Sequence, residues 1–290
     1  MNHQHKNQPH VRKPEWLRIK WQAGVKYGAT GQVISSHCLH TICQSGLCPN
    51  RAECWRNGTA TFMIGGDVCS RNCKFCNTRS GCPLPLDGQE PQRVAESVKQ
   101  LQLRYAVITS VDRDDLPDMG AAHWAETIRC IQAENPHTAI EVLIPDFQGR
   151  EDLIDVVLAA QPTIVGHNME TVSRLTPVVR SVARYDQSLR VLKHIATRGF
   201  TCKTGFMVGL GETTDEVHEL MHDILRSGCT VLTIGQYLQP TTHHYPVKEY
   251  VTPEQFRQYK EEAFSMGFQH VESGPLVRSS YHAEQVLNHQ

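Results

Sequence analysis

Apolar runs typical of β-strands alternate with helical patterns between residues 60 and 270, and this alternation limits the folds open to the chain. Most runs are continuous and rich in Val and Ile, which is the pattern of strands buried on both faces of a parallel sheet. The predicted strands are 59–65, 105–111, 139–145, 162–168, 202–210 and 230–238. Such a series of strand–helix units predicts a parallel α/β fold, either a doubly wound sheet or a barrel with fewer than eight units.

Helical patterns separate the strands. Val94, Val98 and Leu101 form an apolar stripe at spacings of four and three. Residues 213–228 begin with Thr and acidic residues and stop at a glycine, as a capped helix does. Residues 252–267 begin with Thr and Pro and have Gln at the position that completes a capping box. Three helices are therefore predicted at these places.

The position of one cysteine group bears on the choice between sheet and barrel. The stretch GLGET (209–213) lacks the G-x-G-x-x-G spacing of dinucleotide-binding folds. In a barrel, the reactive groups lie at the C-terminal ends of the strands. Three cysteines directly follow the first predicted strand, which is where a barrel would have its reaction site.

The charge balance and the N-terminus restrict partners and location. Lys and Arg together number 29 and Asp and Glu 30, so the composition gives no reason to expect a nucleic-acid partner. No apolar run approaches the roughly 20 residues that span a bilayer. Residues 1–16 are polar and lack the apolar core of a signal peptide, so a cytoplasmic protein is expected.

The chain has 11 cysteines, and six of them fall in two tight groups within residues 43–76. Disulfides are not expected without an export signal, and clustering of this kind predicts metal binding. The other five are expected to be core or incidental residues: Cys38, Cys82, Cys130, Cys202 and Cys229.

The first group has the spacing C-x3-C-x2-C, at Cys69, Cys73 and Cys76. A structural zinc site has four ligands, and Cys82 could supply the fourth. The other interpretation is an iron–sulfur cubane, in which each of the irons needs one outside ligand. Three cysteines would leave one iron open, and an open position on a metal is a substrate site.

The second group has the spacing C-x4-C-x5-C, at Cys43, Cys48 and Cys54. No fourth cysteine or histidine stands at a standard zinc spacing, although His37 and His40 are candidates in principle. A second iron–sulfur cluster is the preferred interpretation, with its fourth ligand from elsewhere in the sequence.

Four features of the sequence resemble the radical S-adenosylmethionine (SAM) superfamily. They are the first triplet, its place after a strand, the aromatic Phe75 before its last cysteine and the run of βα units. The resemblance implies a partial (βα)6 barrel of TIM type and a [4Fe-4S] cluster on Cys69, Cys73 and Cys76. The open iron would chelate SAM. One electron would then cleave SAM to methionine and a 5′-deoxyadenosyl radical, which abstracts hydrogen from an unactivated carbon.

The two cysteine spacings together resemble the lipoyl synthase family within that superfamily. Other matching segments are KPEWLR (13–18), VGLGET (208–213) and GPLVRSSYHA (274–283). The resemblance implies three parts of the chain. These are an N-terminal extension with the second triplet (1–55), the barrel core (56–270) and a C-terminal segment (271–290).

In that family, the second serine of R-S-S-Y, here Ser280, is the fourth ligand of an auxiliary [4Fe-4S] cluster on Cys43, Cys48 and Cys54. An ordinary polar tail is the alternative interpretation of RSSY. A serine alkoxide is a harder ligand than a thiolate, which suits a cluster that must be dismantled.

The resemblance also implies a reaction, the insertion of sulfur at C6 and C8 of an octanoyl chain that is amide-linked to a lysine. The auxiliary cluster is the sulfur donor and is consumed. The implied substrates are octanoylated lipoyl carrier domains or the glycine-cleavage H protein. Further implied partners are an electron donor such as ferredoxin or flavodoxin and a cluster-repair protein.

Several polar residues near strand ends are candidate SAM contacts. With Phe75, these are Arg113, Asn168, Glu170 and Lys203. No side-chain acid or base is expected, since the clusters carry the chemistry. The stretch TTHHYP (241–246) is expected to shape the substrate entrance, with a metal site as the alternative.

Two other functions stay open on the sequence. A radical SAM enzyme that inserts sulfur into a biotin precursor would share the first triplet but not the second triplet with RSSYH. A two-cluster electron carrier would be expected to close all four ligand places of each cluster, unlike the triplet at Cys69, Cys73 and Cys76.

Overall fold

A computed structural model describes residues 12–18, 25–56 and 60–280 of the chain, which contain ten strands. In chain order these are β1 (His40–Thr41), β2 (Thr61–Ile64), β3 (Val68–Cys69), β4 (Arg79–Ser80), β5 (Tyr105–Ser110), β6 (Ala139–Leu143), β7 (Ile164–Gly166), β8 (Thr201–Val208), β9 (Val231–Gln236) and β10 (His270–Gly274). Eight of them form one sheet in the order β1-β2-β5-β6-β7-β8-β9-β10, and β3 pairs with β4. Within the large sheet only β1 is antiparallel to its neighbour.

Three helices precede β2, and the others connect the parallel strands. The helices are α1 (Val25–Ser36), α2 (Ile42–Ser45), α3 (Arg51–Arg56), α4 (Glu90–Gln100), α5 (Ala121–Glu134), α6 (Glu151–Leu158), α7 (Thr176–Val179), α8 (Tyr185–Thr197), α9 (Thr214–Arg226) and α10 (Pro253–Met266). Two short 3-10 turns cover Glu15–Leu17 and Phe147–Gly149. In the described part of the chain, no helix is both long and apolar enough to cross a bilayer.

All six predicted strands are present as β2 and β5 to β9, although residue 59 of the first prediction lies outside the described residues. The strand order follows the chain from β2 to β10 without the reversal that a doubly wound sheet has. This progression is that of an open, partial βα barrel, so the predicted fold class is confirmed. A seventh parallel strand, β10, extends the sheet beyond the six predicted strands.

The predicted capping residues lie at the ends of two helices. Thr213 and Glu216 form a complete capping box at the start of α9. At α10 only half of the predicted box forms. Thr252 accepts a hydrogen bond from the backbone N–H of Gln255, but the side-chain nitrogen of Gln255 is buried without a partner among the described residues. The helix ends at Gly267, where φ is 115°.

Side chains alternate between the two faces of the strands. Phe62, Ile108 and Val142 are fully buried in the apolar core shared with the helices. Their neighbours in sequence on β5 and β6, including Val107 and Leu143, face the opposite side, which lines a cavity. The cavity is thus surrounded by the sheet and closed off from the helix-side core.

The segment after β10 crosses the cavity mouth. A Cβ on Gly235 of β9 would lie 2.3 Å from the carbonyl oxygen of Val277, so only glycine lets the segment pass this close. The Asn50 side chain donates to the Leu276 carbonyl at 2.7 Å. Residues 281–290, including the end of the predicted motif, and residues 1–11 lie outside the described residues.

Candidate active site

A cavity of about 340 Å³ lies at the C-terminal ends of the parallel strands. Its walls come from the loops after β2, β5, β6 and β7 and from the segment after β10. Five of the six clustered cysteines line it: Cys43, Cys48, Cys69, Cys73 and Cys76. Ser280 lines it as well. The two triplets, 15 or more residues apart in sequence, therefore meet at one site.

The first cysteine loop holds its first thiol among backbone donors. The backbone N–H groups of Arg71 and Asp112 lie 3.4 and 3.3 Å from the Cys69 sulfur. Burial, followed by the nearby Asp112 carboxylate, raises the pKa of Cys69 to about 12. A thiol of this kind stays protonated at neutral pH and would release its proton when the sulfur binds a metal. N–H donors aimed at sulfur are the contacts that stabilise cluster thiolates.

Arg71, between the first two cysteines, fixes this loop to the strand ends. Its guanidinium lies 3.3 Å from Asp112, 2.6 Å from Asp114 and 2.7 Å from Asp146. Burial would raise the pKa of Asp146, but the hydrogen bond and the charge of Arg71 outweigh it and lower the pKa to about 2. One buried cation therefore ties the loop to the ends of β5 and β6.

The histidine-rich stretch crosses the other side of the same loop. The Tyr245 N–H donates to the Lys74 carbonyl at 2.8 Å, and His244 Nε2 lies 3.1 Å from the Cys76 carbonyl oxygen. His244 Nδ1 is 2.8 Å from the Thr241 hydroxyl. One ring nitrogen of His244 thus bonds to the first cysteine loop and the other to Thr241 of the same stretch. The role of 241–246 at the substrate entrance stays a prediction, since none of these residues lines the cavity.

The second triplet surrounds the adjoining part of the cavity. Cys43 lies on α2, Cys48 in the following loop and Cys54 on α3, where it packs against the core but does not line the cavity. Burial raises the pKa of Cys48. The Asn77 side chain donates to the Ser45 carbonyl at 2.8 Å, which joins the two cysteine loops directly.

The donor set fits clusters better than the zinc alternative. Cys82, the fourth ligand of the zinc interpretation, is exposed and does not line the cavity. A cubane takes one outside ligand on each iron, so its thiolates surround the cluster instead of converging on one point.

The wall after β7 combines acid, amide and cation. Glu170 has a left-handed backbone (φ 66°) and bridges to Phe206 of β8, an arrangement that turns it toward the cavity. Burial raises its pKa, although Arg180 and a hydrogen bond from Asn168 act in the opposite direction. Arg180 Nη1 is 2.9 Å from the Ser188 hydroxyl, while its Nε is buried without a partner in the described part of the chain.

Comparison with known proteins agrees with this geometry. The Radical SAM superfamily model matches residues 63–224. The fold is similar to Streptococcus suis SuiB bound to S-adenosylmethionine, with TM-score 0.58 at 12% identity over 77% of this chain and 52% of that one. It is also similar to methylornithine synthase (PylB), with TM-score 0.57 at 12% identity over 82% and 69% of the two chains.

Closer relatives share most of the sequence. Lipoyl synthase of Parabacteroides distasonis is 62% identical over 275 residues, covering 95% of this chain and 98% of that protein. Lipoyl synthase of Bacteroides fragilis strain YCH46 is 63% identical over 278 residues, covering 96% of each. Lipoyl synthase of Treponema denticola is 55% identical over 273 residues, covering 94% of each. The chain belongs to the lipoyl synthase family.

Membership in the lipoyl synthase family confirms the predicted resemblance. It also confirms the predicted enzyme class, a radical SAM enzyme that inserts sulfur with SAM and two [4Fe-4S] clusters. The match of the whole chain to whole relatives agrees with the extent of the predicted motifs, which runs from Lys13 to the C-terminal segment.

The structure separates the candidate SAM contacts of this lipoyl synthase family member into two groups. Phe75, Asn168 and Glu170 line the cavity. Arg113 and Lys203 do not line the cavity, so the geometry does not support direct contact of either side chain with SAM. Lys203 stands near the start of β8, two residues before Gly205, which does line the cavity.

Both of those cations are committed to other groups. Lys203 Nζ lies 2.8 and 2.9 Å from the two oxygens of Glu141, which does line the cavity. Arg113 pairs with Asp115 at 2.8 Å and donates to the Gly65 carbonyl at 3.2 Å, at the start of the cysteine loop. Each supports a residue of the cavity region from behind.

Arg180 and His167 line the cavity but were not predicted. Arg180 stands alone in an irregular stretch after α7, and no pattern in the sequence marks it. His167 directly precedes the predicted Asn168, and this position beside a candidate residue is the one signal by which the sequence could have indicated it. Its Nδ1 is 3.0 Å from the Ile144 carbonyl and its Nε2 is 2.9 Å from the Ser188 hydroxyl.

His167 is expected to make the apoprotein sensitive to mild acid. Burial, followed by the Arg180 charge, lowers its pKa to about 4, below the ordinary value of 6.5. As the pH falls, His167 is therefore protonated in the unfolded chain before it is protonated in the folded protein. Its contribution to the free energy of unfolding is full above pH 6.5 and is lost as the pH drops to 4. We expect a loss of roughly 3 kcal/mol in the free energy of unfolding, measured with urea between pH 7 and pH 4.

Two variants assign this pH dependence. His167→Gln should flatten the slope between pH 6.5 and pH 4, because glutamine does not titrate there. His243→Gln, which changes an exposed histidine, should keep the wild-type slope. An unchanged slope in His167→Gln would show that another group is responsible.

Proposed function

We propose that this chain converts a protein-bound N6-octanoyl-lysine to N6-lipoyl-lysine by inserting sulfur at C6 and C8. One observation supports this proposal above the others. Cysteines of both triplets and Ser280 line the same cavity, beside an apolar wall. A sulfur donor and a SAM site that share one cavity can act on one substrate chain without a diffusing intermediate.

The cavity lining and the spacing of the cysteines together suggest the two sets of ligands, in which Cys54 is the one member that does not line the cavity. Cys69, Cys73 and Cys76 would hold the SAM-binding cluster. Cys43, Cys48, Cys54 and Ser280 would hold the auxiliary cluster. When bound, the first cluster would supply the electron that cleaves SAM, and the second would supply sulfur. Each new C–S bond would replace a C–H bond whose hydrogen leaves in 5′-deoxyadenosine, so each octanoyl chain would consume two SAM molecules and two electrons. Bonding of a carbon radical to sulfide releases one electron, which the iron of the auxiliary cluster would accept. The product would leave as the dihydrolipoyl dithiol, which closes to the lipoyl dithiolane on oxidation.

The wall after β7 would hold the polar part of SAM. The free edge of the Arg180 guanidinium is suited to the SAM carboxylate, and Glu170 is suited to its amino group. Asn168 offers an amide to the remaining polar groups, and Phe75 an aromatic face. These contacts fix SAM beside the first cysteine loop.

Arg113 and Lys203 would act indirectly in this arrangement. Lys203 compensates the buried charge of Glu141 in the cavity wall, and Arg113 anchors the residue before the cysteine loop. Both roles keep the wall rigid rather than binding SAM.

The apolar lining would accept the fatty chain and exclude water. Its apolar members include Ile42, Val107, Leu143, Met207 and Val277. The rest of the lining includes the cysteines and the charged side chains described above. Excluding water protects a carbon radical from side reactions, so this wall would contribute to the fidelity of the reaction.

The proposed partners follow from the reaction. The substrate is an octanoylated lipoyl carrier domain or the glycine-cleavage H protein. An electron donor such as ferredoxin or flavodoxin would reduce the cluster, and a cluster-repair protein would replace the spent auxiliary cluster. We also propose a cytoplasmic location and the three-part division into 1–55, 56–270 and 271–290.

An anaerobic product assay tests the proposal. The protein with reconstituted clusters would receive SAM, a strong reductant and an octanoyl-lysyl peptide, and products would be followed by mass spectrometry. We expect lipoyl peptide together with 5′-deoxyadenosine. Formation of 5′-deoxyadenosine with unmodified octanoyl-lysyl peptide and H-protein would redirect the search to another substrate. Neither product, with both clusters present, would favour an electron carrier.

A further inference from the structure

The two neighbouring serines of the C-terminal segment bond to different walls of the cavity. The Asn168 side-chain nitrogen donates to the Ser279 hydroxyl at 2.8 Å. The Thr61 hydroxyl donates to the Ser280 hydroxyl at 2.9 Å. Thr61 belongs to β2 and Asn168 follows β7, and two strands, β5 and β6, separate these in the sheet. The segment therefore reaches from one side of the cavity to the other.

Asn168 connects this segment to the acid of the β7 wall. Its amide has two N–H groups and one acceptor oxygen. It donates to Ser279 and also hydrogen-bonds to Glu170. A Cβ on Gly205 would lie 3.2 Å from the Asn168 oxygen, so the backbone of β8 limits the amide on its third side. Ser279 thus helps to fix the orientation of an amide that in turn holds Glu170.

We propose that Ser279 is a positioning residue that couples SAM binding to the placement of the C-terminal segment. This inference rests on the proposed function, in which Asn168 and Glu170 contact SAM. Ser279 lines the cavity, and in this proposal it acts through its hydrogen bond with Asn168. Its neighbour Ser280 is the proposed ligand of the auxiliary cluster, so the coupling would link the SAM side of the cavity to the sulfur side.

The coupling has to be reciprocal. If SAM orders Asn168, the bond from Asn168 should hold Ser279 and the backbone around it more firmly. If Ser279 loses its hydroxyl, Asn168 becomes free to rotate, and SAM must then order it on binding. The first effect is seen in the exchange of backbone amides and the second in the dissociation constant of SAM.

The test compares Ser279→Ala, Ser279→Thr and Ser273→Ala in protein with reconstituted clusters under anaerobic conditions. Equilibrium dialysis gives the dissociation constant of SAM. We expect Ser279→Ala to raise it about fivefold, the effect of one ordinary hydrogen bond. Ser279→Thr retains the hydroxyl and should restore binding. Ser273→Ala removes a hydroxyl that bonds to the Phe256 carbonyl at 2.7 Å outside the cavity, and it should bind SAM as the wild type does.

Hydrogen exchange of the same proteins provides a readout that does not depend on turnover. SAM should slow exchange in residues 276–280 of the wild type and of Ser279→Thr, and should have no effect on that segment in Ser279→Ala. The double variant Asn168→Ala/Ser279→Ala should bind SAM no more weakly than Asn168→Ala alone.

The outcomes separate the two proposals. If the wild type with its clusters does not bind SAM, the proposed function fails. If the wild type binds SAM and Ser279→Ala binds equally well with unchanged exchange in residues 276–280, the function stands and the coupling is overturned. Additive losses in the double variant would likewise overturn it.

Discussion

Alanine at Cys69, Cys73 or Cys76 is expected to abolish both SAM cleavage and lipoyl formation. These cysteines surround the part of the cavity beside Glu170 and Arg180, and two of them share one short loop with Phe75. Losing one thiolate removes an iron ligand, so the electron that cleaves SAM is no longer delivered. The measurement is 5′-deoxyadenosine by mass spectrometry, which we expect to fall to background.

The second triplet should behave differently. Alanine at Cys43, Cys48 or Cys54 is expected to spare part of SAM cleavage and to abolish sulfur insertion, because the first cysteine loop keeps its own anchors. Cys82→Ala is the control, because it changes an exposed cysteine outside both triplets. This variant should form both 5′-deoxyadenosine and lipoyl peptide. Lipoyl peptide from any of the three second-triplet variants would show that the sulfur comes from elsewhere.

Replacing Arg71 with methionine is expected to destabilise the apoprotein by about 3 to 5 kcal/mol, the effect of removing one partner from a buried ionic group. The Arg71 side chain is 3% exposed, and Asp146, one of its three carboxylate partners, is fully buried. Without the cation these carboxylates repel one another at the ends of β5 and β6. Urea unfolding of the apoprotein at pH 7, in the presence of a reductant for the thiols, measures the loss.

A surface ion pair provides the matched control for this prediction. Arg79 lies 3.6 Å from Asp67 and its side chain is 73% exposed, so Arg79→Met should change the free energy of unfolding by no more than about 0.5 kcal/mol. The loss in Arg71→Met should also shrink as the pH falls from 4 to 2, because protonated carboxylates no longer need the cation. Equal stabilities of the two variants at pH 7 would contradict the role of Arg71.

The strands could be predicted because parallel strands that are buried on both faces read as continuous apolar runs. All six predicted runs became strands of the sheet. β10 escaped prediction since its sequence, HVESG, is short and largely polar, and it lies at the edge of the sheet with β9 as its one partner. An edge strand needs fewer apolar residues, so its local pattern is weak.

The cysteine ligands could be predicted from spacing, but the SAM wall could be predicted only in part. Which groups a polar side chain meets depends on tertiary packing, and no local pattern in the sequence shows it. Lys203 lies near the start of β8, as in the predicted strand 202–210, but its ion pair with Glu141 of β6 could not be predicted from the sequence. Arg180 gave no signal because its role comes from a chain reversal that brings it back to Asn168 and Glu170.

The origin of the inserted sulfur decides whether a cluster in this cavity is the sulfur donor. The clusters would be reconstituted with ³⁴S-labelled sulfide and unbound sulfide removed. A single turnover with SAM, reductant and octanoyl-lysyl peptide would then be analysed by mass spectrometry. We expect lipoyl peptide with the mass of two ³⁴S atoms. Lipoyl peptide without the label, from protein that still holds labelled clusters, would contradict the assignment of Cys43, Cys48, Cys54 and Ser280 as ligands of the sulfur donor.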